Sequence, residues 1–253
     1  MAVFSLGEEI KDLAEIAKLL EAKNLPLSFE VTGSHFLDQF DEYKTFSSHF
    51  QIKGLNKPFD MSILKQLDQY TEDQYEEFIN SVFKIIKTAI RFNIEYIVFN
   101  SGILNPNKAP AHTFASGRLV EFFNRLIKQF PGLQMYLNVS QTHLMNDLEL
   151  AQSAIFLNNL IASDQLNIRF NTLLNNKQFD FNTVNRQCAF NIEQIRLMLE
   201  LDFDKTQFFD LIKKLKASFY KGSIIFSGHE SSLQETVQLI EEIIQLYTDT
   251  KIS

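Results

Sequence analysis

Short apolar runs alternate along the whole chain with longer stretches in which apolar residues recur every three or four positions. The first rhythm fits buried strands and the second fits amphipathic helices, so the pattern predicts repeated βα units rather than a sandwich or a bundle. Predicted strands cover residues 2–6, 27–31, 46–52, 94–99, 133–139, 166–170, 192–199 and 223–226. Between them lie predicted helices at 8–23, 34–43, 71–90, 112–130, 144–162, 205–219 and 231–247. Two of these have clear punctuation. Pro26 ends the first helix before its strand. Thr71 and Gln74 have the spacing of a capping box, and they open a helix whose Phe78, Val82, Ile85, Ile86 and Ala89 share one stripe.

Eight strands with intervening helices, and no linker rich in Pro, Gly or Ser, predict a single (β/α)8 TIM barrel spanning residues 1–253 as one domain. The length of 253 residues suits one such barrel and one core. An open doubly wound α/β sheet is the rival arrangement.

A barrel keeps its chemistry at the carboxyl ends of its strands. On this reading those ends carry Ser5, Glu30, His49, Asn100, Asn138, Asn171, the region of Glu200 and Asp202, and Ser227. Glu30 and His49 are the candidate acid and base; the plainer alternatives are a solvated carboxylate and a structural histidine. Asn100, Asn138, Asn171, Asp202 and Ser227 are candidate ligand-binding residues, because amides and hydroxyls can meet the hydroxyls and carbonyls of a polar molecule. A hard divalent ion needs converging carboxylates and imidazoles, and this set is mostly neutral, so no metal is expected. No cofactor is expected either: the chain has no GxGxxG, Walker loop, HExxH, GxSxG or CxxC motif. Gly33, Gly102 and Gly228 fall just after strand ends and fit tight turns at the mouth. His35, His112, His143 and the His229-Glu230 pair are read as loop or helix-opening residues.

The formal charge of -7 argues against nucleic acid, whose binding starts from a basic patch. With Cys188 as the single cysteine, no intrachain disulfide or cysteine zinc cluster can form. No segment reads as a membrane span and the start has no signal-like apolar core, so a cytoplasmic protein is expected. The chain carries 25 Phe and no Trp, and exposed Phe would supply a homodimer face.

The helix running into IEYIVFNSG, residues 94–102, and YKGSIIFSG followed by a closing helix resemble the xylose-isomerase-like barrel superfamily, which holds sugar isomerases, sugar epimerases and an apurinic endonuclease branch. The resemblance implies a divalent metal at the barrel mouth. Carried over position by position, however, Asn100 stands where the endonuclease branch has a ligand His, and Asn138 where the family has a metal-binding Glu. Asn171 replaces an Asp, Leu199 or a neighbour replaces a His, and Ser227 replaces the final Glu. Only His49 and Asp202 keep a family-like residue. Such replacements remove ligand charge and proton acceptors together. The expectation is a divergent barrel without the family metal that binds a small polar ligand or a protein partner. The alternative is a sugar or sugar-phosphate isomerase or epimerase using Glu30 and His49. An endonuclease for abasic DNA is the third reading, set back by the missing ligands and the acidic charge.

Overall fold

The computed structural model describes residues 3–5, 28–33, 40–100, 117–140, 161, 163–173, 192–199, 204–217 and 220–228, together with 238, 241–243 and 245 of the closing segment. Eight parallel strands close into a barrel in chain order. They are β1 (Val3–Ser5), β2 (Ser28–Thr32), β3 (Gln51–Asn56), β4 (Tyr96–Asn100), β5 (Gln134–Ser140), β6 (Leu166–Leu173), β7 (Ile192–Leu199) and β8 (Ser223–Gly228). The doubly wound alternative is thereby excluded, since β1 pairs in parallel with both β2 and β8 and leaves no edge.

Outside the barrel lie α1 (Phe40–His49), α2 (Glu72–Ile90), α3 (Gly117–Gln129) and α4 (Lys205–Ala217). The Thr71 side chain accepts from the Gln74 backbone while the Gln74 side chain accepts from the Thr71 backbone, so the capping box forms as its spacing predicts. Phe78, Val82, Ile86 and Ala89 of α2 are buried as the stripe predicts, together with Tyr75 and Ile79. The expected helix at 8–23 lies outside the described residues, and so does that at 144–162 apart from the helical, buried Ile161.

One expected strand is wrong. Residues 46–49 belong to helix α1, and β3 runs Gln51–Asn56. The reason is visible in the burial: Tyr43, Phe46 and Phe50 are buried at spacings of three and four, a helical period that a short apolar window read as a strand.

Strand alternation sorts the apolar residues into two bodies. Outward-facing Phe29, Ile52, Leu55, Ile97, Phe99, Met135, Leu137, Ile168, Phe170, Ile195, Leu197 and Phe226 join the helices in one large core. Phenylalanines fill this layer edge to face: Phe99 meets Phe123 at 5.2 Å, Phe122 meets Phe123 at 5.2 Å, and Phe29 meets Phe46 at 5.1 Å. Among the described residues the one exposed large hydrophobic side chain is Ile90. The second body is small and lies in the bore: Tyr96, Val98, Tyr136 and Ile225. Among the described residues no helix is long and apolar enough to cross a membrane.

Gly54 of β3 is what admits the aromatic part of this inner cluster. Its register partners are Glu30 on β2 and Tyr96 on β4, and a Cβ at residue 54 would stand 2.2 Å from the Tyr96 ring. The strand position is emptied so that a neighbouring ring can lie across it.

Candidate functional site

Inward positions follow the same alternation as the outer ones and can be read strand by strand. Glu30 is the middle residue of β2, and Arg169 lies on β6, four strands away in either direction around a barrel of eight. Both are 0% exposed, and the Arg169 guanidinium donates two hydrogen bonds to the Glu30 carboxylate, Nη1 to Oε2 at 2.5 Å and Nη2 to Oε1 at 2.9 Å. A fork-to-carboxylate pair of this kind is the strongest side-chain contact the residue types allow. It crosses the bore from wall to wall.

This placement corrects the expectation for Glu30. The carboxylate does not wait at the mouth as a base; both of its oxygens accept from the Arg169 guanidinium, and it is sealed from solvent. Beside it, burial first and the Glu30 charge second push the Tyr96 hydroxyl well above its ordinary range, so it stays protonated. That hydroxyl has no hydrogen-bond partner of normal geometry among the described residues.

His49 is corrected too. It is the exposed last residue of α1, immediately before β3, and therefore lies at the amino end of the barrel, opposite the mouth. Glu30 and His49 do not meet and cannot act as an acid and base on one substrate. Glu95 also lies at the amino end, exposed and paired with Lys53 at 3.2 Å. Glu193 sits there as well, in the irregularity of β7, its carboxyl raised chiefly by burial. Asp202, Glu200, Cys188 and the histidines at 35, 112, 143 and 229 lie outside the described residues.

Three of the other candidates lie at one end of the barrel. Asn138 on β5, Asn171 on β6 and Ser227 on β8 are all buried and inward-facing near the carboxyl ends of their strands. Asn100, the last residue of β4, is the register partner of Asn138. Asn138 is 6% exposed and Asn171 5%, yet the amide oxygen of each has no hydrogen-bond partner among the described residues. Buried acceptors are almost always satisfied, so two at one end of one bore mark a place built to receive donors.

Sequence reading missed two residues of this site, Arg169 and Arg196. Arg196 on β7 is the register partner of Asn171, and its Nε donates to Ser227 Oγ at 3.1 Å. Because its own register partner on β8 is Ile225, bonding Ser227 means the side chain leans toward the carboxyl end. Burial, with the like charge of Arg169 adding to it, pulls Arg196 down to about 10, which still leaves it charged at neutral pH. The signal was available: in IRFNT and IEQIRLML each arginine has the inward parity of a strand whose neighbours are apolar.

These positions do not suit a divalent metal. Asn138, Asn171 and Ser227 bring no negative charge, and the guanidinium of Arg196 stands against Ser227 where the resemblance would put a final ligand carboxylate. A cation placed there would be repelled by Arg196. Among the described residues no group of three His, Cys, Asp or Glu side chains converges.

A closed eight-stranded parallel barrel with a polar carboxyl end defines a (β/α)8 barrel, and solved structures of sugar epimerases share this fold. It is similar to the Escherichia coli 3-keto-D-glucoside 4-epimerase YcjR, with a TM-score of 0.64, 14% identity, and coverage of 98% of this chain and 99% of that one. It is equally similar to a xylose isomerase domain protein from Planctomyces limnophilus, with a TM-score of 0.63, 13% identity and coverage of 100% and 97%. A glycoside hydrolase family 10 endo-beta-1,4-xylanase also matches, at a TM-score of 0.61 and 11% identity over 91% of this chain and 88% of that one. Because a hydrolase of different chemistry matches nearly as well, the likeness is one of fold. No protein-family model matches the sequence, and no curated protein sequence does.

Proposed function

We propose that this barrel binds a small polar molecule at its carboxyl end without a divalent metal. The observation that carries the reading is the pair of buried amide oxygens of Asn138 and Asn171, unpartnered among the described residues, beside the Arg196–Ser227 contact. The amides and the hydroxyl can orient a ligand, and the cation takes the place of a metal as the fixed positive charge. None of them is a proton acceptor suited to moving a hydrogen between sugar carbons at neutral pH.

The test is elemental analysis of the purified protein, before and after incubation with Mn, Mg and Zn and exchange into chelator-free buffer. The expected result is no stoichiometric retained metal, together with thermal stabilisation by polyhydroxylated small molecules that persists in EDTA. Replacing Asn138 and Asn171 together by Leu is expected to abolish that stabilisation. A retained metal that is lost on those replacements would overturn the reading.

The fold likeness to YcjR favours a second reading, a sugar isomerase or epimerase. It requires catalysts other than the Glu30 and His49 pair. Metal-dependent interconversion of sugar epimers by the purified protein, followed by NMR, would establish it over the first.

A further inference from the structure

At the described positions that face the bore, three side chains are charged: Glu30, Arg169 and Arg196. Glu30 and Arg169 neutralise each other through their two hydrogen bonds, which leaves, among the described residues of the bore, one positive charge, that of Arg196. Among the described residues no carboxylate stands within ion-pair distance of Arg196. Its Nε is taken by Ser227, so the edge formed by its two terminal nitrogens remains for a partner. Arg196 is half-buried rather than sealed, and a guanidinium withdrawn this far from water without a counter-ion is unfavourable until an anion reaches it.

Beside it stand the two amide oxygens that lack donors among the described residues. Asn171 is the register partner of Arg196, and Asn138 lies one strand further round. The arrangement therefore asks for an anion at one point and hydroxyl donors next to it. Resting on the reading of the mouth as a metal-free binding site, we propose that Arg196, braced by Ser227 and flanked by Asn138 and Asn171, is a subsite for a hydroxylated monocarboxylate, the guanidinium taking the carboxylate and the amides taking hydroxyls. The planar fork of the guanidinium matches the two oxygens of a carboxylate. Charge selects the monocarboxylate over a phosphate monoester: one unneutralised cation balances one negative charge, whereas a phosphate monoester brings about 1.5 to 2 at neutral pH.

Isothermal titration calorimetry in EDTA tests this with glycerate, threonate and gluconate as probes, and with glucitol, acetate and glucose 6-phosphate as comparators. At least one of the three sugar acids is expected to bind stoichiometrically, and more tightly than glucitol, which lacks the carboxylate, or acetate, which lacks the hydroxyls. Arg196→Met is expected to weaken that binding about thirtyfold or more, the loss that follows removal of one partner of a hydrogen-bonded charge pair. Arg196→Lys keeps the charge and loses the fork, so a loss of about tenfold is expected; it decides the matter if the Met variant does not fold. Absence of binding by all three acids overturns the proposal, as does unchanged affinity in the decisive variant. If glucitol binds as tightly as gluconate, the carboxylate assignment falls while the metal-free binding site stands. If glucose 6-phosphate binds more tightly than every sugar acid, the monocarboxylate choice falls in the same way. Binding that appears only on adding Mn or Zn overturns both readings.

Discussion

Glu30→Gln is expected to lower the unfolding free energy by about 3–5 kcal/mol, because it leaves the Arg169 guanidinium at 0% exposure without its counter-charge. For a chain of this size such a loss is a fall on the order of 10 °C in Tm, read by circular dichroism or calorimetry. Replacing both partners by Met is expected to restore most of it, since two apolar side chains of similar length leave no uncompensated charge in the bore. An unchanged Tm in Glu30→Gln would show that the pair does not hold the barrel. A candidate base at an open mouth would give the opposite outcome, little change in stability and a large change in turnover.

Gly54→Ala is the second large effect. The added Cβ would stand 2.2 Å from Tyr96 Cε2, 2.3 Å from Cζ and 2.6 Å from the hydroxyl oxygen. The ring has nowhere to go, being packed on Tyr136 at 5.6 Å within the bore. Overpacking of this kind costs about 1–3 kcal/mol. The cause is steric, so truncating the ring should relieve it: in a Tyr96→Leu background the same glycine substitution is expected to cost much less. A coupling of about 0.5–3 kcal/mol between the two sites in denaturant titrations would establish the contact, and strict additivity would refute it.

Most of the barrel was legible in the periodicity, and the reasons are physical. Parallel strands buried on both faces read as continuous apolar runs, so IEYIVFN and MYLNVS announced themselves. The same property hid the site, because a run that looks uniformly buried does not say which of its residues face the bore. Counting by twos inward from Asn171 reaches Arg169, and that parity would have revealed a cation needing a partner inside the barrel. Glu30 answers that need from the opposite wall. Nothing local in LSFEVT could say so, since the two residues are 139 positions apart. His49 was misplaced for a different reason: Tyr43, Phe46 and Phe50 carry a helical spacing that a short window mistook for a strand, and moving that segment moved the histidine to the far end of the molecule. Asn138, Asn171 and Ser227 stood out in the sequence because each is a polar residue near the end of an apolar run.

The ion pair across the bore also has a bearing on the order of folding events. Its two halves come from β2 and β6, so they cannot meet until the sheet has curled far enough to face itself. Contacts with such separation reward the chain only after a long loop has been ordered. The pair should therefore be absent from the rate-limiting state. Its removal is then expected to steepen the decay of the native barrel while leaving the refolding rate in stopped-flow experiments nearly unchanged. The bridge acts as a latch, set last and governing how long the closed form persists.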